Sequence, residues 1–153
     1  SLITVTDVRQ RALDLASELW ADHAIMADDD EELDAVGKIC DGFDIIFEAS
    51  GAAAALRAAY ERCNPGGVVV QIGNQPGDVP LPANLAMVKE LTIRGSFRFA
   101  HQFSFAIDLL ARGRLNVQPL ITDAYPLTGL PEALEAALGP ESVKVVLEHP
   151  SKE

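Results

Sequence analysis

Two cysteines, two methionines and one tryptophan stand among 153 residues, and aromatic side chains make up only 6% of them. Cys40 and Cys63 are too few for a disulfide framework, and no Cys or His falls at a metal-clip spacing such as C-x-x-C. Both read as small buried apolar side chains. Positive charge is also scarce: 12 Lys and Arg against 23 Asp and Glu leave a net charge of −11. Such a chain repels a phosphate backbone or an anionic membrane, so neither nucleic acid nor a membrane is expected as a partner. Long apolar runs are missing too. Stretches such as 52–56 fall far short of the ~20 residues a membrane helix needs, and no basic-then-apolar leader opens the chain, which points to the cytoplasm. No Ser-His-Asp or Cys-His constellation is visible, and His23, His101 and His149 are scattered.

What is present is the composition of one globular domain of ordinary size, 48% hydrophobic and 23% charged. Short β-branched or apolar runs alternate with helical spacings. A strand over 2–6 precedes a helix over 10–19 whose apolar positions include Leu13, Ala16 and Leu19. A second strand over 23–27 leads to the acidic run 28–32, read as a solvated helix start. The figure then repeats: strand 43–49, alanine-rich helix 52–62, the breaker Asn64-Pro65-Gly66-Gly67, and strand 68–73. Further along come a helix through Val88, a strand 91–97, a helix 103–111, an extended piece 120–126, a helix 131–138 and a last strand 143–148. Strands without clean alternation are buried on both faces, as in parallel sheets covered by helices. The fold class is therefore α/β, a doubly wound parallel sheet with right-handed crossovers.

Three strand ends carry the candidate chemistry. Ligands of open α/β sheets bind outside the carboxyl ends of the strands, and Asp7 stands at such an end just before a helix. A carboxylate there either caps the helix or accepts hydrogen bonds from the ribose hydroxyls of adenosine while repelling a 2′-phosphate. Glu48-Ala49-Ser50-Gly51 and Gln71-Ile72-Gly73-Asn74 end two more strands in or near glycine, which permits close approach to the backbone. Because crossovers keep the strands pointing one way, the three ends read as one nucleotide crevice, with ordinary turn chemistry as the alternative. The glycine-rich turn G-x-G-x-x-G should precede the ribose-binding acid by about 20 residues. Only six residues precede Asp7, so neither that turn nor its strand fits.

Several segments resemble the later part of zinc-dependent medium-chain dehydrogenases, nearest the sorbitol and L-idonate dehydrogenase branch. They are Glu48-Ala49-Ser50-Gly51, the run from Pro65 to Gly73, and Arg94-Gly95-Ser96-Phe97-Arg98-Phe99. Pro119-Leu120-Ile121, Tyr125-Pro126-Leu127, Glu132-Ala133-Leu134 and Lys144-Val145-Val146-Leu147 extend the likeness over essentially the whole chain, and Gly-Ser-Phe-Arg-Phe followed at a distance by Tyr-Pro-Leu favours the L-idonate 5-dehydrogenases. The resemblance implies that Asp7 holds the adenosine ribose of NAD and that Ser50 and Gly51 flank the dinucleotide. It places Ile72, Gly73 and Asn74 on the nicotinamide side and gives Ser96, Phe97 and Arg98 the carboxamide, with Lys144 at a basic position facing the pyrophosphate. One departure is visible: many relatives carry a basic residue five positions after the acid, where this chain has Ala12, with Arg11 one place early. The retained acid favours NAD over NADP.

The same resemblance implies a reversible oxidation of a secondary alcohol, a polyol or aldonate, to a ketone, in a homo-oligomer. The catalytic zinc of such enzymes is bound outside this chain, which supplies no catalytic or metal-ligating residue and is expected to be inactive alone. Residues 1–98 correspond to a Rossmann-type domain that is incomplete, and 99–153 to a segment that packs on the catalytic domain. With the strand order 3-2-1-4-5-6, the absent first strand belongs between strands 2–6 and 43–49, leaving two apolar edges unpaired. Alternatives are another branch such as threonine dehydrogenase, or a non-catalytic nucleotide-binding or assembly module.

Overall fold

A computed structural model describes residues 1–39, 41–99 and 102–149. The expectations for Cys40 and His101 lie outside these residues. Two compact units emerge: Ser1–Asp30 together with Ala100–Glu153, and Glu31–Phe99.

In the first unit β1 (Thr4–Asp7) runs into helix α1 (Gln10–Leu19) and returns as β2 (His23–Met26), parallel to β1 with Asp7 opposite Met26. Leu13 and Leu15 of α1 and Ile25 of β2 are buried, so the helix covers one face of the pair. The amide of Ile3 is held by Asp22 Oδ2 at 2.7 Å, which closes the crossover. The same unit contains α5 (Gln102–Ala111), β6 (Ile121–Pro126), α6 (Leu130–Leu138) and β7 (Lys144–Glu148), with β6 and β7 forming their own parallel pair. Pro131 sits in the first turn of α6, where its missing N–H costs nothing. No described residue of α5 is buried, although its sequence is largely apolar.

The second unit is a three-stranded parallel sheet in the order β3-β4-β5, from β3 (Phe43–Glu48), β4 (Cys63–Gln71) and β5 (Thr92–Gly95). Helix α2 (Asp30–Ile39) leads into β3, α3 (Ala53–Arg62) crosses to β4, and α4 (Ala83–Val88) precedes β5. Leu56, Ala59, Tyr60, Cys63 and Val69 form the core, with Ile46, Leu85, Ala86 and Leu91 packed on it. Burial of the Cys63 thiol raises its pKa, against a smaller opposing effect of the Lys89 ammonium, and burial likewise raises that of Tyr60.

Two sequence expectations need correction. The segment 64–67 is a bulge within β4: Phe43 faces Cys63 and Ile45 already faces Val68, so one residue of β3 opposes four of β4. It stays in the strand because Gly66 N–H, at φ +76°, donates to Lys89 O at 2.7 Å. Asn64 Nδ2 meanwhile bridges Asp41 O and Asp44 Oδ1. The strand expected over 91–97 is shorter and covers only Thr92–Gly95. Among the described residues β1 pairs only with β2, and β3 only with β4, so each has an edge with no strand partner. Ile45 and Phe47 of β3 are 56% and 65% exposed, as an apolar strand left uncovered on one face must be.

Candidate functional site

Glu48, the last residue of β3, organises the strand ends of the second unit. It is 4% exposed. Its Oε1 accepts hydrogen bonds from Ser50 N at 2.8 Å, Ser50 Oγ at 2.6 Å and Gly51 N at 2.9 Å. Its carbonyl accepts from Ile72 N at 2.7 Å and Gly73 N at 2.9 Å. One residue therefore ties the end of its own strand to the end of β4. Ser50 Oγ is committed in turn, accepting Ala52 N at the entry of α3 at 3.1 Å. Glu48 Oε2 has no hydrogen-bond partner among the described residues and is sealed against Gly73.

These contacts explain the two glycines. A Cβ on Gly73 would stand 2.2 Å from Gly51 N and 2.6 Å from Glu48 Oε2, and one on Gly51, at φ +72°, 2.6 Å from Asn74 O. Both positions need glycine because the two turns pack directly on each other, whatever approaches from outside. Ser50, Gly51, Ile72, Gly73 and Asn74 are thus brought together, with Ile72 46% exposed beside them. Ser96 joins them through its amide, which donates to Gln71 O at 2.9 Å. Phe97 and Arg98 lie just beyond, exposed, with the Arg98 guanidinium carbon 4.4 Å from the Phe97 ring centroid. This is a cation–π pair at the surface.

Asp7 belongs to the first unit and ends β1. Its Oδ1 accepts Arg9 N at 2.9 Å and Arg9 Nε at 3.4 Å, while Oδ2 takes no hydrogen bond among the described residues. The side chain is 30% exposed. Oδ1 thus braces the turn into α1 without capping the helix, whose N-cap residue is Arg9 and has no side-chain cap hydrogen bond. Arg9 extends the contacts by donating Nη1 to Ser142 O at 3.2 Å. Ser142 Oγ then donates to Asp123 Oδ2 at 2.6 Å, and Thr122 Oγ1 to the same oxygen at 2.7 Å. These hydrogen bonds, Ser142 first, hold the Asp123 carboxyl below the usual carboxylate range. Lys144 opens β7 with its side chain exposed.

Arg9 is not among the residues the sequence singles out, and Glu48 enters there only as the first residue of a strand-end segment. Glu48 had a local signal, a lone carboxylate closing an apolar strand just before Ser-Gly. Arg9 had only its position two residues after Asp7. Among the described residues no three His, Cys, Asp or Glu side chains converge on a point where a metal ion could be held, so these residues do not fit a zinc centre. No helix among them is long and apolar enough to cross a membrane. Beside α2 and α3 an open cavity of about 550 Å³ is lined by Asp34, Lys38, Asp41, Glu61 and Arg62 among others, and Arg62 pairs there with Asp34.

Comparison with known proteins places these features in context. The zinc-binding dehydrogenase family matches residues 2–112. The chain is 34% identical over 149 residues to sorbitol dehydrogenase of Gallus gallus, covering 95% of this chain and 42% of that protein. It is 36% identical over 135 residues to L-idonate 5-dehydrogenase (NAD(P)(+)) of Escherichia coli, covering 88% of this chain and 39% of that one. The crystal structure of the Escherichia coli L-idonate 5-dehydrogenase superposes with a TM-score of 0.83 at 34% identity, covering 96% of this chain and 42% of that structure. The chain thus spans about two-fifths of the length of the curated relatives it matches.

Proposed function

The chain belongs to the zinc-binding dehydrogenase family, and from that premise we propose that it is the nicotinamide-dinucleotide-binding part of a polyol or aldonate dehydrogenase of the L-idonate 5-dehydrogenase kind. The overall reaction is the oxidation of a secondary alcohol to a ketone, for which the dinucleotide, when bound, accepts hydride. The observation that carries this reading is the partly exposed carboxylate of Asp7 at the carboxyl end of β1, whose Oδ2 takes no hydrogen bond among the described residues and can accept one from a ribose hydroxyl.

In this reading Asp7 binds and orients the adenosine ribose. Ser50 and Gly51, fixed by Glu48, flank the dinucleotide. Ile72, Gly73 and Asn74 line the nicotinamide side, and Ser96, Phe97 and Arg98 meet the carboxamide. None of these groups moves a proton in the reaction, and no zinc step is assigned to this chain. Residues 1–98 are the cofactor-binding part and 99–153 the segment that packs on a catalytic domain. The names of the two relatives support the substrate class, and that of the L-idonate 5-dehydrogenase (NAD(P)(+)) supports the cofactor class. The proposal includes a cytoplasmic location and self-association through β5, whose outer edge pairs with no strand among the described residues.

Calorimetric titration of the chain with NAD, beside Asp7→Ala, tests the assignment. The expected result is binding that the substitution weakens at least tenfold. Equal binding by both proteins refutes the ribose assignment, and no binding by a folded chain favours an assembly module instead.

A further inference from the structure

Helix α3 runs into β4 with no loop between them. Its last carbonyls have no partner inside the helix, as at every helix C-terminus, and that of Ala59 is taken by the amide of Cys63. The carbonyls of Tyr60, Glu61 and Cys63 converge instead on one point, where Lys89 Nζ lies 3.3, 2.5 and 2.9 Å from them. An ammonium has three donors, and here all are directed at main-chain oxygen. Its partners among the described residues are carbonyls, not carboxylates. The lysine's own main chain is fixed separately: its N–H donates to Leu85 O at 3.0 Å, and its carbonyl accepts Gly66 N at 2.7 Å. The root of the side chain is therefore anchored whatever its tip carries.

Several main-chain oxygens around one point, at the negative end of a helix dipole, are a ligand set that replaces the hydration shell of a monovalent cation. The lysine ammonium is itself a compact point charge. We propose that the joint between α3 and β4 is a monovalent-cation site whose resident cation is the Lys89 ammonium, and that its oxygens take ammonium, a short alkylammonium or K⁺ once that side chain is withdrawn. The ligand class follows from the donor set. Three neutral carbonyls suit a single charge of ammonium size and do not replace the firmly held water of a small divalent ion. The proposal is independent of dinucleotide binding and stands or falls apart from it.

The test is urea unfolding of the full chain, followed by circular dichroism, for the unsubstituted protein, Lys89→Ala and Lys89→Met. Each is measured in the chlorides of tetramethylammonium, K⁺, ammonium and ethylammonium at equal ionic strength. Lys89→Ala opens the site, whereas Lys89→Met removes the charge and keeps the space filled. Both substitutions are expected to raise the unfolding equilibrium constant about thirtyfold in tetramethylammonium chloride, the order of lost hydrogen bonds to a charged group. At least one of the three smaller cations then recovers Lys89→Ala about fivefold, as a ligand at about four times its Kd does, and moves the other two proteins less than twofold. Cation effects of equal size in all three proteins overturn the proposal, because they report the solvent and not a site. Lys89→Ala as stable as the unsubstituted chain overturns it as well, since the carbonyls then need no cation. Should Lys89→Ala be unfolded in tetramethylammonium chloride, refolding on addition of ethylammonium bears the proposal out, and failure to refold in every cation overturns it.

Discussion

Two carboxylates close parallel strands in the two units, and their surroundings differ. Glu48 is buried, with three donors on one oxygen and its carbonyl holding the neighbouring strand end. Asp7 is partly exposed, with both hydrogen bonds of its carboxylate coming from Arg9 and none reaching its second oxygen among the described residues. The same residue class at equivalent points of a βα turn thus serves two purposes. Each has one oxygen without a hydrogen-bond partner among the described residues, but that of Glu48 is buried in the packed turns whereas the Asp7 side chain is 30% exposed. Position at a strand end does not separate the two surroundings; burial does.

Substitutions sharpen this contrast. The largest effect is expected at the packed turns: Gly73→Ala pushes a methyl group into Gly51 N and Glu48 Oε2 and lowers stability by about 3 kcal/mol in urea unfolding. Glu48→Ala follows at about 2 kcal/mol, because it strands the Ser50 and Gly51 amides, and Glu48→Gln recovers more than half of that loss through its retained acceptor. Asp7→Asn is expected to change the urea midpoint by less than about 0.5 kcal/mol, since the carboxamide oxygen still accepts from Arg9 N, while nucleotide affinity falls. A stability loss for Asp7→Asn equal to that of Glu48→Ala would erase the contrast.

The smallest effect is a pH dependence. The Asp123 carboxyl is held below its ordinary value of 3.8 in the folded chain, so its contribution is complete above that pH and is lost as pH falls through the lower folded value. Asp123→Asn is therefore expected to flatten the acid limb of the melting temperature measured between pH 5 and 2. An unchanged limb would mean that the Ser142 and Thr122 hydroxyls bind the carboxyl no better than water does.

The sequence was legible wherever a signal is local. Helix α1 occupies 10–19 as its apolar spacing implies, the acidic run 28–32 does lead into α2, and the apolar runs before Glu48 and before Gln71 are strands. The clustering of Ser50 and Gly51 with Ile72 to Asn74 was also visible, although the glycines are required by turn-on-turn packing and not only by an approaching ligand. The bulge at 64–67 was not legible, because Asn-Pro-Gly-Gly carries turn chemistry and only the Lys89 carbonyl keeps Gly66 in the strand. Arg9 escaped for a related reason: its partner Ser142 lies 133 residues away in sequence, and no periodicity reports such a contact.

The joint between α3 and β4 has a mechanical consequence. Helix and strand follow one another with no intervening residue, Arg62 ending one and Cys63 beginning the other. The Lys89 ammonium replaces a loop there, gathering the carbonyls of Tyr60, Glu61 and Cys63 at 3.3, 2.5 and 2.9 Å. Such a joint leaves no loop between helix and strand, so the Lys89 side chain fastens the end of α3 to the start of β4. Acylating that amine would remove the positive charge that gathers these carbonyls.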